Sequence, residues 1–336
     1  MTRHGPGGKG DGRSDQSDRS RLRILLDLPG PGEQLHAPVI SEPPDPLHSL
    51  PAIVRALRPL QWTKNLLVFA ALIFARSVFE AGPLVQSFIA FMALCAVSSA
   101  MYLVNDVLDA EQDRVHPTKR FRPVASGELQ SSTAIRLAAV LIFAGLVAAF
   151  FVRPELAGIL LAYVLLMAGY NAGLKRFVIL DVIIISLGFV IRAAAGAVAI
   201  SVPISTWLYI CTLMLALLVG FGKRRHELMT LQEIAGAHRQ NLESYSIGML
   251  DQVIGVSAAA TIVAYSVYTF EAPTLPQNHA MMLTVPIVIY AVLRYLYLLY
   301  IRKLGGSPEV LLVRDRPLLA SLLIWVVGSV AILYVA

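Results

Sequence analysis

The stretch NDVLDAEQDRVHPTKRFRPVASG, residues 105–127, decides how the chain is organised. At ~100° per residue on a helix, Asp106, Asp109 and Asp113 lie within ~60° of one another, and Asn105 lies on the same face. Three carboxylates on one face repel one another unless a cation bridges them, and Mg²⁺ commonly binds one or two carboxylates together with substrate phosphates. The spacing therefore predicts Mg²⁺ held by these aspartates with Asn105 assisting, rather than a solvated charged loop between two helices.

Basic side chains follow this acidic face directly. They are Arg114, His116, Lys119, Arg120 and Arg122. Guanidinium and ammonium groups bind phosphate oxygens through charge-assisted hydrogen bonds. An acidic metal face beside several cations suits a diphosphate substrate, because the metal and the cations stabilise the charge of the leaving group.

The composition indicates a polytopic membrane protein. Of the 336 residues, 56% are hydrophobic and 15% are charged, and the mean hydropathy is +0.65, whereas a soluble domain is ~25% charged. Cys95 and Cys211 both lie in apolar stretches, which excludes a disulfide framework or a zinc cluster. The net charge of +6 is read as a signal of membrane orientation and not of nucleic-acid binding.

The predicted fold class is all-α, with a polar tail followed by nine membrane spans. Residues 1–50 are rich in Gly, Pro, Ser, Asp and Arg, which predicts a disordered cytosolic tail without a cleaved signal peptide. Residues 51–336 are the predicted membrane-embedded catalytic domain. The spans are predicted at 62–79, 84–104, 134–152, 155–172, 180–200, 205–222, 252–270, 281–301 and 317–335. Most approach the ~20 residues that cross ~30 Å of hydrocarbon.

The distribution of lysine and arginine predicts the orientation. Most of the 28 basic residues lie in the tail through Lys64 and in the connections after the second, fourth, sixth and eighth spans. The positive-inside rule then gives a cytosolic N-terminus in the cell membrane. The acidic stretch lies in one of these connections, so the predicted active site faces the cytosol.

Several motifs carry a resemblance to a known family. NDVLDAEQD at 105–113 resembles the first aspartate-rich motif, N-D-x-x-D-x-x-x-D, of the UbiA superfamily of intramembrane prenyltransferases, and the resemblance covers about residues 51–336. A narrower resemblance, to the decaprenyl-phosphate phosphoribosyltransferase branch, is carried by the whole stretch 105–127 together with RPLQWTKN at 58–65, YNAGLKRFVILD at 170–181 and FGKRRHEL at 221–228. The resemblance implies a nine-helix bundle with a cytosolic cavity and Mg²⁺ as cofactor.

The same resemblance implies the substrates. Members of this branch move 5-phosphoribose from phosphoribosyl pyrophosphate (PRPP) to a polyprenyl phosphate, decaprenyl phosphate, on the way to decaprenylphosphoryl arabinose and cell-wall arabinan. The residues then expected around the phosphates and the ribose are Lys64, Arg114, Lys119, Arg122, Tyr170, Lys175, Lys223, Arg224, Arg225 and Tyr245.

One departure from the superfamily pattern is informative. Its prenyltransferases usually carry a second acidic motif, D-x-x-x-D, in the loop after the sixth span, where this chain has the basic run Lys223, Arg224 and Arg225. Positive charge in place of an acidic metal motif favours a donor with an additional phosphate, such as the 5-phosphate of PRPP.

Two alternative functions stay open at this point. An ordinary UbiA-type prenyltransferase would move a prenyl group from its diphosphate to an aromatic or other acceptor. A nine-span transporter would place its polar groups near the midplane, whereas here only Arg192 lies deep in a predicted span. Asp181, Arg192 and Glu227 are each compatible with a structural pair or a site role, and a homo-oligomer is compatible with the sequence.

Overall fold

The structure is a computed structural model that describes residues 1–2, 50–116, 118–203, 206–233, 244–272 and 275–335, with only the backbone described at 231–233. The predicted disordered tail lies almost entirely outside these residues. The part of the chain that the structure describes is helical and contains no strand. Its helices belong to one unit, Leu50–Ala336.

Twelve α-helices are formed by the described residues. They are α1 Ala52–Ala56, α2 Phe69–Phe74, α3 Ala81–Leu108, α4 Ala110–Arg114, α5 Ser131–Val152, α6 Pro154–Ala172, α7 Leu180–Ala199, α8 Thr206–Glu233, α9 Ile247–Glu271, α10 Val285–Tyr300, α11 Pro308–Arg314 and α12 Arg316–Val335. Short 3₁₀ helices lie at Pro59–Val68, Lys119–Phe121, Leu174–Arg176 and Ala280–Thr284.

Eight helical segments within the described residues are long and apolar enough to cross a membrane. These segments are α3, α5, α6, α7, α8 up to Thr230, α9, α10 with the 3₁₀ turn before it, and α12. The all-α class is confirmed, and the number of spans agrees approximately with the predicted nine.

The first predicted span, 62–79, takes a different form from the other eight. Pro59–Val68 is a 3₁₀ helix that continues into the short α2, and the segment ends at Ala75. Two of its polar side chains bond α3, since Trp62 Nε1 donates to Ser99 Oγ at 2.9 Å and Asn65 Nδ2 donates to Ser98 Oγ at 3.2 Å. The Thr63 hydroxyl instead donates to the Leu60 carbonyl within the segment. The sequence pattern indicated one apolar span here, but the first part of the segment takes the tighter 3₁₀ form, which is found in short pieces and connectors.

Two predicted spans end too early. Helix α3 continues past residue 104 to Leu108, and α8 continues past residue 222 to Glu233. The prediction that the basic run at 223–225 lies in a loop is therefore wrong. These cations occupy successive positions on a helix, which points neighbouring side chains in directions ~100° apart.

A buried polar network ties the 3₁₀ segment to the bundle. Arg192 on α7 is buried and donates to Asn65 Oδ1 at 2.7 Å, to the Gly188 carbonyl at 2.8 Å and to Tyr163 Oη at 2.9 Å. Asn65 donates in turn to Ser98 Oγ on α3 at 3.2 Å. A charge at this depth is expensive unless it is well hydrogen-bonded, so the structure favours the structural role of Arg192.

Close backbone packing holds the same segment against α7. A Cβ atom added at Gly196 would lie 2.0 Å from the Val68 carbonyl oxygen and 2.8 Å from the Val68 carbonyl carbon. Both residues are buried. Small residues allow backbones to approach closely at helix interfaces in membranes, and here glycine is the residue that fits.

We expect Gly196→Ala to lower the thermal unfolding midpoint of the detergent-solubilised protein. The added methyl group meets backbone atoms that cannot rotate away, and such overpacking destabilises proteins by ~1–3 kcal/mol. Gly158→Ala on α6 is the matched control, because a Cβ there meets nothing within 4 Å and alanine is the better helix former by up to ~1 kcal/mol. An unchanged midpoint in Gly196→Ala would contradict the packing role.

Candidate active site

The acidic stretch forms the end of α3 and the short α4. Helix α3 ends at Leu108, and Asp109 joins it to α4 with φ −95° and ψ 2°. Backbone hydrogen bonds continue across the junction, from Asp109 N to Asn105 O at 2.9 Å and from Asp113 N to Asp109 O at 2.8 Å. The chain therefore keeps an almost helical path, and the aspartates stay at about the expected spacing.

Two arginines hold two of the aspartates together. Arg122 Nη1 lies 3.2 Å from Asp106 Oδ1 and 2.6 Å from Asp113 Oδ2. Arg58, which precedes the 3₁₀ segment, also donates to Asp106 Oδ1. The backbone of Arg58 has φ 53°, in the left-handed region that residues other than glycine rarely adopt. Asp106 and Asp113 thus lie on one face, bridged by a shared guanidinium.

The third aspartate is paired separately. Lys175 Nζ, in the turn after α6, lies 2.5 Å from Asp109 Oδ1. Each aspartate of the motif therefore contacts at least one cation: Asp106 and Asp113 share Arg122, and Asp109 contacts Lys175. These cations offset the repulsion among the three carboxylates.

The donor chemistry of this face fits Mg²⁺. Asp106 is 1% exposed, and its Oδ2 atom is buried with no hydrogen-bond partner among the described residues. An unpartnered buried carboxylate oxygen is unfavourable by itself and suits a cation ligand. Among the described residues, no group of three or more carboxylate, imidazole or thiolate side chains is gathered closely enough to hold a metal ion. The metal-ligand role of Asp106, Asp109, Asp113 and Asn105 stays a prediction.

A second charged cluster joins α7, α8 and Tyr245, which lies two residues before α9. Arg224 Nε donates to Asp181 Oδ2 at 2.8 Å, and its Nη1 donates to Glu227 Oε2 at 2.5 Å. Tyr245 Oη donates to Asp181 Oδ1 at 3.0 Å and accepts from the Ile179 amide at 2.5 Å. Burial raises the pKa of the Tyr245 phenol to about 12, and the charge of Asp181 acts in the same direction, so this hydroxyl remains protonated at neutral pH.

A third cluster joins the 3₁₀ segment to α11. Gln61 Nε2 donates to Glu309 Oε1 at 2.8 Å, and Lys64 Nζ lies 3.8 Å from Glu309 Oε2. Lys223 on α8 interacts electrostatically with both Lys64 and Glu309. Burial alone would raise the pKa of the Glu309 carboxyl, but Lys64, the hydrogen bond from Gln61 and Lys223 together hold that pKa below its usual value.

Two predicted substrate-binding arginines point to other partners. Arg225 Nε lies 2.5 Å from Asp251 Oδ1 on α9, and its guanidinium lies over the Tyr300 ring at 4.5 Å from the centroid. Arg114 is exposed and pairs with Glu111 at 2.8 Å. The structure does not bring either residue to the aspartates.

Tyr170 and Lys119 are the other two predicted substrate-binding residues. Tyr170, at the end of α6, interacts electrostatically with Arg224. Lys119 is half-buried in the 3₁₀ turn after α4, where its backbone amide donates to His116 Nδ1 at 3.3 Å.

Sequence reasoning missed three residues of the site. Arg58 and Gln61 lie within RPLQWTKN, the segment at 58–65 that carried the resemblance, yet neither residue was assigned a role. Glu309 had a weaker signal, as one of two acidic residues in the mainly basic connection between α10 and α12. Its contact with Gln61 spans 248 residues of sequence, which no local pattern encodes.

The chain matches known proteins in sequence and in fold. The model of the UbiA prenyltransferase family matches residues 66–313. A protein of Mycolicibacterium smegmatis named decaprenyl-phosphate phosphoribosyltransferase is 35% identical over 292 residues, covering 84% of this chain and 92% of that protein. The protein of the same name from Corynebacterium glutamicum is 33% identical over 289 residues, covering 84% of this chain and 87% of that protein.

Solved structures share the fold at low sequence identity. A UbiA homologue from Archaeoglobus fulgidus bound to GPP and Mg²⁺ has a TM-score of 0.66 at 18% identity, covering 84% of this chain and 99% of that one. A UbiA homologue from Aeropyrum pernix has a TM-score of 0.58 at 14% identity, with 82% and 97% covered. The family match, the relatives and the shared fold agree with the acidic motif at the end of α3: this chain is a multi-pass membrane protein of the UbiA prenyltransferase family.

Proposed function

We propose that the protein transfers 5-phosphoribose from PRPP to a polyprenyl phosphate such as decaprenyl phosphate, with release of pyrophosphate and with Mg²⁺ as cofactor. The product would feed decaprenylphosphoryl arabinose and cell-wall arabinan. The observation that carries the proposal is a group of interacting cations, Lys64, Lys223 and Arg224, of which Lys64 also interacts with Arg58, the partner of Asp106. Lys223 and Arg224 occupy the part of the chain where prenyltransferases of the superfamily usually have a second acidic motif. The names of the relatives support the same reaction.

The two kinds of charge in the site suit the two ends of PRPP. The aspartate face would hold Mg²⁺ and, through it, the pyrophosphate on ribose C1. Lys64 and Lys223 would bind phosphate oxygens as ammonium donors. Arg224 carries two carboxylate partners already, so its guanidinium is held in a defined orientation beside the site. Tyr170, which interacts electrostatically with Arg224, would bond ribose hydroxyls or phosphate. The hydroxyl of Tyr245 already bonds Asp181 and the Ile179 amide, so Tyr245 would contact the substrate only by exchanging one of these partners.

The residues that would hold the metal are Asp106, Asp109 and Asp113, with Asn105 assisting. When bound, Mg²⁺ neutralises the diphosphate and stabilises the charge that develops as pyrophosphate leaves. Arg58 and Arg122 already contact Asp106. They would stay close enough to offset the remaining negative charge of the donor.

The transfer itself needs little acid–base help from the protein. The bond between C1 and the pyrophosphate oxygen breaks, the electron pair leaves with pyrophosphate, and an oxygen of the acceptor phosphate bonds to C1. C1 acquires oxocarbenium character on the way, as in other glycosyl transfers. A lipid phosphate is largely ionised near neutral pH, with a second pKa of ~6. It therefore needs positioning and not a strong general base, and direct attack would invert C1.

The reaction is tested with purified protein, Mg²⁺, labelled PRPP and decaprenyl phosphate, followed by extraction of the lipid. We expect label in the lipid phase and its loss when EDTA removes the metal. Product from a prenyl diphosphate and an aromatic acid, without label transfer from PRPP, would support the prenyltransferase alternative. Failure of both reactions in folded protein would contradict enzymatic transfer from either donor.

Asp106→Asn should reduce turnover by about 100-fold or more, because it removes a buried ligand charge from the site of leaving-group stabilisation. Glu111→Gln in the same stretch is the matched control. Its side chain is 87% exposed and pairs only at the surface with Arg114, so turnover should stay within about twofold of the wild type. The turnover of both variants and of the wild type is compared by initial rates at saturating PRPP. Wild-type rates in Asp106→Asn would rule out the metal role.

We also propose that the aspartate face lies on the cytosolic side, with the N-terminus cytosolic. Both native cysteines are buried, so single exposed cysteines can report the orientation. Ser131→Cys, at the start of α5, should react with a membrane-impermeant maleimide in inverted vesicles and not in intact cells. Glu80→Cys lies just before α3, at the end of α3 opposite to the aspartate face. It should react in intact cells and not in inverted vesicles. Labelling of Ser131→Cys in intact cells would contradict this orientation.

A further inference from the structure

Glu309 reaches the site from an element with no assigned role. It is the second residue of α11, and its side chain is only 12% exposed. Its two carboxylate oxygens have different neighbours, since Oε1 accepts from Gln61 at 2.8 Å and Oε2 lies 3.8 Å from Lys64 Nζ. A carboxylate this buried is normally held by specific partners, and here the partners lie in the 3₁₀ segment at 59–68.

Gln61 connects the two charged groups. Its Oε1 atom accepts from Lys64 Nζ at 2.5 Å while its Nε2 atom donates to Glu309. The amide thus orients the ammonium and the carboxylate relative to each other. At 3.8 Å the lysine and the glutamate form an ion pair but not a hydrogen bond, so the ammonium keeps donors available for a phosphate.

The charges around Lys64 explain why a carboxylate is needed. Arg192 on α7, Arg58 before the 3₁₀ segment and Lys223 on α8 all act on Lys64 with positive charge, and Glu309 is the negative charge that opposes them. Lys223 has Glu227 as an additional acidic neighbour. Like charges close together in a partly buried site favour loss of a proton or movement apart.

The ends of the connection that carries Glu309 are anchored. Before α11, a Cβ atom at Gly305 would lie 2.7 Å from Leu299 Cδ1 and 3.0 Å from His226 Cβ, so the loop packs closely against α10 and α8. After α11, Asp315 accepts from Arg294 at 2.7 Å and from the Leu318 amide at 2.9 Å. The position of Glu309 is thus set by packing and hydrogen bonds on both sides of its helix.

We infer that Glu309 is a positioning residue of the phosphate site, which holds Lys64 and, at longer range, Lys223 as oriented ammonium donors for the phosphates of the donor substrate. The inference rests on the proposed function in one respect: it takes the donor substrate to carry a diphosphate group. Glu309 does not touch the reacting atoms in this arrangement. It acts through the lysines.

The test compares Glu309→Gln, Glu309→Asp and the control Glu155→Gln, which removes an exposed carboxylate at the start of α6. The probe is Mg²⁺ with inorganic pyrophosphate, whose binding to the purified full-length protein is measured by calorimetry. We expect Glu309→Gln to weaken binding about tenfold, as a loss of one charge interaction in a buried site would. Glu309→Asp should recover most of the affinity, and Glu155→Gln should match the wild type.

The pH dependence distinguishes positioning of the lysines from general structural damage. Removing an anion near an ammonium lowers the proton affinity of that ammonium. The alkaline limb of pyrophosphate binding should therefore move to lower pH by about half a unit or more in Glu309→Gln, and it should stay in place in Glu309→Asp. In turnover with PRPP, Glu309→Gln should raise KM more than it lowers kcat.

Several outcomes would overturn the inference. Tighter pyrophosphate binding in Glu309→Gln would mean that the carboxylate competes with the phosphate, and unchanged binding would mean that it has no role there. If Glu309→Gln does not fold, Gln61→Met is the second test, because it removes the amide that connects Lys64 to Glu309. Pyrophosphate binding should then also weaken, and an unchanged affinity would contradict the inference. Pyrophosphate binding that depends on Glu309, without transfer from PRPP, would refute the proposed function while supporting the positioning role.

Discussion

Compensation of one buried carboxylate is the constraint on which the site depends. Asp106 sits at the end of a membrane helix with almost no exposure to water, where an isolated charge is strongly unfavourable. Arg58 reaches it from the segment before the first 3₁₀ helix, and Arg122 reaches it from the connection after α4. The two guanidiniums repel each other, so the aspartates are also what allows the arginines to lie together. Three separate parts of the chain are joined by this requirement.

The polar groups of the bundle are sorted by depth. At the end of the bundle that carries the acidic motif, carboxylates and cations form pairs, as with Asp109 and Lys175. Deeper in α7, Arg192 is held by an asparagine, a tyrosine and a backbone carbonyl. Asn65, one residue after Lys64, therefore belongs to the inner network, while Lys64 belongs to the charged end. The irregular 3₁₀ segment links the two levels, which accounts for its departure from a regular membrane helix.

The basic run on α8 illustrates the limit of sequence patterns. Arg224 and Arg225 are neighbours in sequence and chemically identical, and the prediction treated them alike. On a helix they point ~100° apart, and Arg224 contacts Asp181 on α7 while Arg225 contacts Asp251 on α9. Only the first of them lies in the cluster beside the candidate site. Because a loop was predicted at this position, helical periodicity was not applied to the two arginines. That periodicity would have indicated that their side chains point in different directions.

What the sequence by itself determined is local and periodic. Apolar runs of membrane length specified most of the spans, and the spacing of Asp106 and Asp113 placed both on one face of a helical path, because side-chain direction follows directly from helical geometry. The tertiary structure alone decided which cation pairs with which carboxylate. The bonds from Arg58 to Asp106 and from Gln61 to Glu309 join residues 48 and 248 positions apart. Such partners are chosen by the burial of each charge and by the way the helices pack, and neither quantity is contained in a local pattern.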